Sequence, residues 1–192
     1  MAVAEPRGSR SHDPSPPRLE RRAVGGTGLI APVTEQRTHP AVERVRSALA
    51  ASGVPAEVVW FDDSAKTAAE AAAAIGCDVG AIANSLVFTL DGEPVLVMTS
   101  GSHRVDTAFL GALIGGRLKR ADADVVKAAT GQVIGGVAPV GHPSPIRTWV
   151  DTTLAEYPEI WAAAGHAHTV FPTTFDELVR VTRGTPTPVV AD

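Results

Sequence analysis

The chain has 192 residues, a length typical of one ordinary domain, and 44% of them are hydrophobic against 20% charged. This balance excludes a globally disordered protein, and the single cysteine, Cys77, excludes an internal disulfide framework and a cysteine-rich zinc site. The 17 basic and 21 acidic residues give a net charge of −4, which argues against a protein that coats nucleic acid with a broad basic face. A pocket that holds only one end of a nucleic acid is compatible with this charge.

The N-terminal residues 1–36 differ in composition from the rest. Segment 1–26 contains four prolines and five arginines and almost nothing apolar, which predicts a disordered tail; a basic arm that helps to hold RNA is its functional alternative. We expect the folded domain over residues 37–186 and a short C-terminal tail over 187–192. The uncharged run 79–90 is too short to span a bilayer, and no apolar h-region follows the N-terminal arginines. The expected location is therefore the cytoplasm, without contact with a membrane.

Helix caps, apolar spacing and turn residues predict the elements of the folded domain. Val42, Val45 and Leu49 recur at helical spacing behind Pro40, which predicts a first helix that Gly53 ends. Next we expect a strand over 57–61, a helix over 67–76 that opens with a capping box, and strands over 82–90 and 95–99 joined by the turn 91–94. Helices over 106–113 and 122–130 follow, and then strands over 132–134 and 146–150. The domain ends with a hairpin of strands 159–163 and 169–171 and a helix over 174–182. Two hairpins and scattered helices predict a single α+β domain with a mixed, largely antiparallel sheet and flanking helices.

The sequence lacks the motifs of several common chemistries. It has no phosphate-binding Gly-x-x-x-x-Gly-Lys loop, no dinucleotide fingerprint and no Gly-x-Ser-x-Gly nucleophile elbow. Cys77 follows a helix end, where we expect a packed thiol rather than a nucleophile. His166 and His168 are two residues apart, so a strand would turn both to one face, yet no third ligand stands at a metal-binding spacing. We expect no metal and no cofactor.

Two segments carry a resemblance to a known family. Ile82–Phe88 reads IANSLVF ahead of the first hairpin, and further along the chain Gly135–Gly141 reads GGVAPVG. With these segments in this order, the chain resembles the YbaK/EbsC family, whose relatives include the editing insertion domain of bacterial prolyl-tRNA synthetase. The family's Gly-x-x-Pro-x-Gly loop is matched by Gly136, Pro139 and Gly141. The likeness covers residues 40–184, and it implies a YbaK-like fold.

The resemblance also implies trans-editing, which is hydrolysis of the ester that joins a wrong amino acid to the 3′ end of a tRNA. The chemistry is compatible with this sequence, because water can attack an aminoacyl ester once backbone N–H groups of a glycine loop stabilise the oxyanion. We expect the acceptor end of an aminoacyl-tRNA as the partner, with a synthetase as a second candidate. The expected catalytic residues are Asn84, Gly136, Pro139 and Gly141, and the expected substrate-binding residues are Ser85, Gly135, Val137, Ala138, His103, Arg104, His166 and His168.

Asn84 stands where the family has a lysine, and its amide has no charge to pair with a phosphate or a carboxylate. Three interpretations stay open. Asn84 positions the ester or the terminal adenosine; Arg104, Lys119 or another basic residue supplies the charge; or the site is inactive and only binds. The last interpretation makes the protein a binding module for tRNA 3′ ends or for a synthetase. A hydrolase that depends on a metal or a small molecule held by the histidines is the other rival.

Overall fold

The structure is a computed structural model that describes residues 37–55, 57–62, 65 and 67–191. The tail expected over residues 1–36 lies outside the described residues.

Helices form where the caps predict them. Thr67 and Thr174 each begin a helix with a complete capping box, in which the threonine hydroxyl accepts from the backbone N–H of the glutamate three residues later. Asp106 and Asp122 cap two further helices through their side-chain carboxylates. In the described part of the chain the α-helices are α1 Pro40–Ala51, α2 Ala68–Ile75, α3 Thr107–Ile114, α4 Ala123–Thr130 and α5 Phe175–Thr182, and short 3-10 turns cover Val79–Ala81 and Thr152–Glu156.

The strands form one mixed sheet, which confirms the predicted α+β class. The order is β1-β7-β6-β2-β3-β5-β8, and β4 pairs with β2 outside this path. Four of the seven strand pairs are antiparallel and three are parallel. The bounds are β1 Val59–Trp60, β2 Ile82–Leu90, β3 Glu93–Ser100, β4 Leu118–Arg120, β5 Arg147–Asp151, β6 Ile160–Ala163, β7 Thr169–Thr173 and β8 Thr185–Thr187.

The β2–β3 hairpin is the centre of the sheet. Its turn residues Asp91 and Gly92 both have positive φ, 52° and 98°, which is the requirement of the tight two-residue hairpin turn. The Asp91 carboxylate accepts from the Arg117 N–H at 2.9 Å, and the Asp91 N–H donates to the Arg117 carbonyl at 3.1 Å. These bonds hold the segment before β4 against the hairpin, so β4 pairs with the far end of β2.

Side chains that alternate along β2 and β3 divide the core between the two sheet faces. Ala83, Val87, Leu96 and Met98 pack toward α1, α4 and α5 in the largest buried cluster. The alternate set of β2 and β3 packs toward α3 and the C-terminal residues in a second cluster, whose members include Phe88, Val95, Val97, Leu110, Trp149 and Val189. This two-sided burial explains why β2 and β3 read as nearly continuous apolar runs.

The structure differs from the predicted elements at three places before the C-terminus. Residues 132–134 form a bend and a turn instead of a strand, because the buried Gln132 uses its amide to bind the loop that follows. The strand expected over 57–61 is paired only at Val59–Trp60. The short strand β4 was not predicted, since three residues carry too little periodicity to reveal a strand.

The expected C-terminal tail over 187–192 is also wrong for the described residues up to 191. β8 pairs in parallel with β5 through Thr187, which faces Asp151. Val189 has no exposed surface, and its carbonyl accepts from the Asp106 N–H at 2.9 Å. The pairing partner lies far back in the chain, so no local pattern reveals this strand. The domain therefore continues past residue 187.

We expect Val189→Ala to lower the free energy of unfolding by about 2 kcal/mol, because it removes two buried carbon atoms of the side chain and leaves a cavity. Val133→Ala is the matched control, since Val133 is 53% exposed; its effect should stay within about 0.5 kcal/mol. Urea unfolding of both variants measures the difference. Equal stability of the two variants would mean that the C-terminal residues do not belong to the packed domain.

Candidate active site

A cleft of about 230 Å³ opens along one edge of β2. On this edge β2 pairs with β6 at Ile82–Ala83 and with β4 at Phe88–Leu90, so residues 84–87 between them have no strand partner there. The start of α2 closes the cleft on one side, and the loop after α4 and the β6–β7 hairpin close it on the other. The cleft is therefore a gap in the sheet edge.

Apolar side chains form most of the cleft wall, and many of them are small. Ala68, Ala71, Ala121, Ala163 and Val137 are among them. The polar lining is limited and includes Thr67, Asn84, Ser85, Arg120 and Thr169. A site of this composition suits a small acyl group whose polar atoms are bound at few positions.

Asn84 and Arg120 share one face of the sheet. Arg120 lies opposite Phe88 in the β2–β4 register, and Asn84 is four residues before Phe88 on the same strand. Cross-strand partners and alternate residues of a strand point to the same side, so both polar groups reach the cleft from that side. Arg120 is exposed, and no carboxylate of the described residues forms an ion pair with it.

Arg120 is a charged residue of the cleft wall that the sequence analysis did not name as a site residue. Of the two basic residues that it did name, neither Arg104 nor Lys119 lines the cleft, and Lys119 is directed to the opposite face of β4. To predict Arg120 at the cleft, one would need to know that β4 pairs with β2, and this pairing joins segments far apart in the sequence.

The glycine loop meets the cleft only at its start. Gly135 and Val137 line the cleft, and no described residue accepts from their backbone N–H groups. The Gly136 N–H instead donates to the Val133 carbonyl at 3.0 Å, and the Ala138 N–H donates to the Gln132 side-chain oxygen at 2.6 Å. Two backbone donors of cleft-lining residues therefore have no acceptor in the part of the chain that the structure describes.

The other loop residues have structural explanations. A Cβ on Gly136 would lie 2.8 Å from the backbone of His166 and Ala167, so only glycine lets the loop touch the β6–β7 hairpin. Gly141 has φ of +79°, and a Cβ there would lie 3.1 Å from the backbone nitrogen of Val45 in α1. Pro139 and Gly141 line a separate groove, and Ala138 is fully buried. The structure thus brings Asn84, Ser85, Gly135 and Val137 together and leaves Pro139, Gly141 and Ala138 outside the cleft wall.

His166 and His168 lie beside the cleft in a cluster of rings. The ring centroid of His166 is 4.8 Å from that of His39, 5.3 Å from that of His168 and 5.6 Å from that of Trp60. Burial, followed by the neighbouring His39 and His168, lowers the pKa of His166. Neither His166 nor His168 lines the cleft, whereas Ala167 between them does. Among the described residues no three His, Cys, Asp or Glu side chains are placed to hold a metal ion.

His103 takes part in a buried network at the ends of β3 and β5. Its Nδ1 lies 2.9 Å from the Asp151 carboxylate, which also accepts from the Ser100 N–H and the Thr99 hydroxyl. Asp151 is fully buried, and these bonds replace the water it loses. His103 and the adjacent Arg104 lie outside the cleft wall. The geometry of His103 is that of a residue that anchors the end of the sheet.

Cys77 is a packed thiol, as the sequence predicts. It lies in the small cluster that joins α2 to Ile82 and Trp161. Burial, with a further contribution from Asp78, raises the pKa of the Cys77 thiol. A raised thiol pKa disfavours the nucleophilic thiolate.

An α+β domain with a small apolar cleft, backbone donors beside it and the cation Arg120 at its edge suits a small acyl group joined to an anionic carrier. The chain belongs to the family of aminoacyl-tRNA editing domains, whose model matches residues 62–181. This confirms the resemblance seen in the sequence.

Solved structures and sequence relatives that are similar to this chain support the same assignment. A solved structure of a candidate trans-editing enzyme for prolyl tRNA synthetase is 38% identical, covers 81% of this chain and all of its own, and superposes with a TM-score of 0.77. The hypothetical protein APE2540 is 26% identical over 76% of this chain and 98% of its own, with a TM-score of 0.71. The uncharacterized protein YwhH of Bacillus subtilis is 28% identical over 64% of this chain and 78% of its own. A proline–tRNA ligase of Nitratidesulfovibrio vulgaris is 33% identical over 47% of this chain, a match that spans 16% of the ligase.

The helices in the described part of the chain are all too short or too polar to cross a membrane.

His142, in the loop after α4, is a titratable residue whose protonation should affect the stability of the fold. His142 Nε2 lies 2.8 Å from the Ala138 carbonyl, and burial lowers the pKa of His142 from its usual 6.5 despite this bond. The unfolded chain therefore binds more protons than the folded one between the lowered pKa and 6.5, so stability decreases as the pH falls through this range.

We expect His142→Gln to make the melting temperature less dependent on pH between about pH 7 and about pH 5, because glutamine keeps an N–H donor for Ala138 but does not titrate. Thermal melts of both proteins across this range measure the two slopes. The slope of the variant should be smaller but not zero, since His166 also has a lowered pKa. Identical slopes would show that His142 is not a group whose protonation opposes folding.

Proposed function

We propose that this protein is an aminoacyl-tRNA deacylase that acts in trans, with water as the nucleophile. The observation that carries the proposal is that Asn84, Arg120, Gly135 and Val137 line one small apolar cleft, where the N–H groups of the two loop residues have no acceptor among the described residues. Membership of the editing-domain family supports it. The similar solved structure, described as a candidate trans-editing enzyme, supports action on a substrate that another enzyme has released.

The proposed reaction needs no protein nucleophile. The oxygen of a water molecule attacks the ester carbonyl carbon, and the N–H groups of Gly135 and Val137 donate to the oxyanion that forms. The intermediate then expels the ribose oxygen, which takes up the proton lost by the water. The products are a free amino acid and a tRNA with an unmodified 3′ end. The amide of Asn84 orients the ester or the terminal ribose through its donor and its acceptor.

The cleft wall favours small aliphatic amino acids. Alanine side chains such as Ala68, Ala71 and Ala163 leave room for a short apolar group. Because a pocket distinguishes neighbouring aliphatic side chains only weakly, we expect activity on more than one small amino acid. The likeness to a candidate trans-editing enzyme for prolyl tRNA synthetase makes tRNA for proline the first carrier to test.

The first experiment measures deacylation of alanyl-, cysteinyl-, seryl- and prolyl-tRNA by the purified full chain. We expect clear acceleration over the enzyme-free control on at least one of the small amino acids. Asn84→Ala should reduce that activity, and treatment with a chelator should not. Binding of tRNA without hydrolysis would contradict the proposal and favour the binding module; loss of activity in chelator would favour the metal-dependent hydrolase.

Arg120 is proposed to bind a backbone phosphate near the 3′ end of the tRNA. Among the described residues it is the cation that lines the cleft, and its side chain is exposed and has no ion-pair partner in that part of the chain. A phosphate contact of this kind contributes a salt-dependent part of the affinity. Arg120 would then supply the charge that Asn84 lacks.

We expect Arg120→Gln to raise KM for aminoacyl-tRNA about 10-fold and to reduce the salt dependence of binding by about one counterion. Lys119→Gln is the matched control, because it removes the same charge from the adjacent residue outside the cleft. Aminoacyl-adenosine, which has no phosphate, should be hydrolysed equally by Arg120→Gln and the unchanged protein. If the two glutamine variants behave alike on aminoacyl-tRNA, the phosphate contact is contradicted.

A further inference from the structure

The backbone of β2 is left without a partner at the cleft. On its other side β2 pairs with β3 along nearly its whole length, from Ala83 to Leu90. On the cleft side the gap extends from Ala83, paired with β6, to Phe88, paired with β4. Five strand steps separate these two residues, which is about 16 Å. The gap is long enough for one aminoacyl group to lie beside the strand, and a paired strand closes it at each end.

Two hydrogen bonds show which backbone groups point into the gap. The Ile82 carbonyl accepts from the Gly101 N–H on the β3 side, at 2.8 Å. The Val87 carbonyl accepts from the Ala121 N–H on the β4 side, at 3.2 Å. Because the backbone groups of successive strand residues alternate between the two edges, the N–H and the carbonyl of Ser85 both point into the cleft. No group of the described residues hydrogen-bonds to either of them.

A donor and an acceptor on one edge residue match the polar atoms of an aminoacyl group. In an antiparallel sheet, two directly opposed residues exchange both bonds, each N–H donating to the other's carbonyl. An aminoacyl ester presents the same pair of atoms, an ammonium N–H and a carbonyl oxygen on adjacent carbons.

We propose that the open edge of β2 binds the aminoacyl group as a single added strand residue, with the Ser85 N–H donating to the ester carbonyl and the Ser85 carbonyl accepting from the α-ammonium group. This inference rests on the proposed function, whose site it deepens. The Ser85 N–H is then a third donor to the oxyanion, on the side of the cleft opposite Gly135 and Val137. The substrate is recognised as an α-amino acid by backbone atoms, independently of its side chain.

The same pairing determines where the side chain of the bound amino acid lies. Directly opposed residues of an antiparallel pair place their side chains on one face. The Ser85 hydroxyl donates to the Met98 sulfur at 3.3 Å, so this face is the one that contains Val126 and Val137. Both valines line the cleft. They are the residues that limit the length of the accepted side chain.

The first test is an NMR titration of the full chain with 3′-(L-alanylamino)-3′-deoxyadenosine, an analogue in which a stable amide replaces the ester. We expect the backbone amide resonance of Ser85 to shift and its hydrogen exchange to slow on saturation. Leu113, an exposed residue of α3, supplies the control amide that should not change. Failure of the analogue to bind, or saturation without a change at Ser85, would overturn the inference.

The second test removes the Ser85 N–H and keeps the serine side chain. Serine at position 85 is replaced by its α-hydroxy-acid analogue, which substitutes an ester oxygen for the amide nitrogen and keeps the side chain. We expect kcat for aminoacyl-tRNA to fall about 100-fold with a smaller change in KM, because an oxyanion donor acts mainly in the transition state. The β2–β3 ladder keeps its bonds, since the Ser85 N–H points away from β3.

A substrate with a hydroxyl in place of the α-ammonium, lactyl-tRNA, tests the other bond. Its hydrolysis should be slower than that of alanyl-tRNA by at least about 10-fold, because the charged donor to the Ser85 carbonyl is lost. If the enzyme is active but both changes leave kcat/KM within about twofold, the edge inference fails and the proposed function stands. If no aminoacyl-tRNA is hydrolysed, the proposed function fails, and the NMR titration still decides whether the edge binds the aminoacyl group.

Discussion

The arrangement of the site depends on the unequal pairing of β2 along its two edges. One edge is bonded to β3 from Ala83 to Leu90, which makes the strand rigid. The other edge is bonded to β6 at its start and to β4 at its end, so it is fixed at both sides of a gap. An unpaired strand edge usually invites aggregation, but here the start of α2, the glycine loop and the β6–β7 hairpin cover it. The strand that borders the cleft is therefore held by β3 on one edge and by β6 and β4 at the two ends of the other edge.

The glycine loop closes the cleft through backbone contact with the hairpin. Gly136 approaches the backbone of His166 and Ala167 within a distance that leaves no room for a Cβ. Inside the loop, the buried amide of Gln132 holds the Ala138 N–H and the Val140 carbonyl. These internal bonds consume some of the loop's donors and at the same time orient the remaining ones, because the chain between them cannot turn. A preorganised donor loses little energy when charge develops beside it.

The elements that the sequence predicts are those whose determinants are local. Capping boxes at Thr67 and Thr174 and the turn at Asp91–Gly92 act over a few residues, and the structure contains all three. The strands that the sequence did not reveal depend on pairing between distant segments. β8 pairs with β5 in parallel, and β4 pairs with β2 through three residues, so neither leaves a periodic pattern. Asn84, Ser85, Gly135 and Val137 were assigned to the site by resemblance, whereas Arg120 enters the cleft only through the unpredicted β4.

The separate origins of Asn84 and Arg120 are relevant to the asparagine that stands at position 84 in place of the family lysine. In the proposed mechanism the donors are backbone N–H groups, which a change of side chain does not remove, so Asn84 would remove a charge and leave the polarising groups in place. The neighbouring strand β4 supplies a positive charge on the same face of the sheet, because Arg120 and Asn84 lie on one side of the β2–β4 pair. In this arrangement the positive charge and the neutral amide occupy separate positions. Under the proposed function, the charge holds the anionic carrier while the amide contacts the ester, two tasks that a single lysine at position 84 could not perform at once.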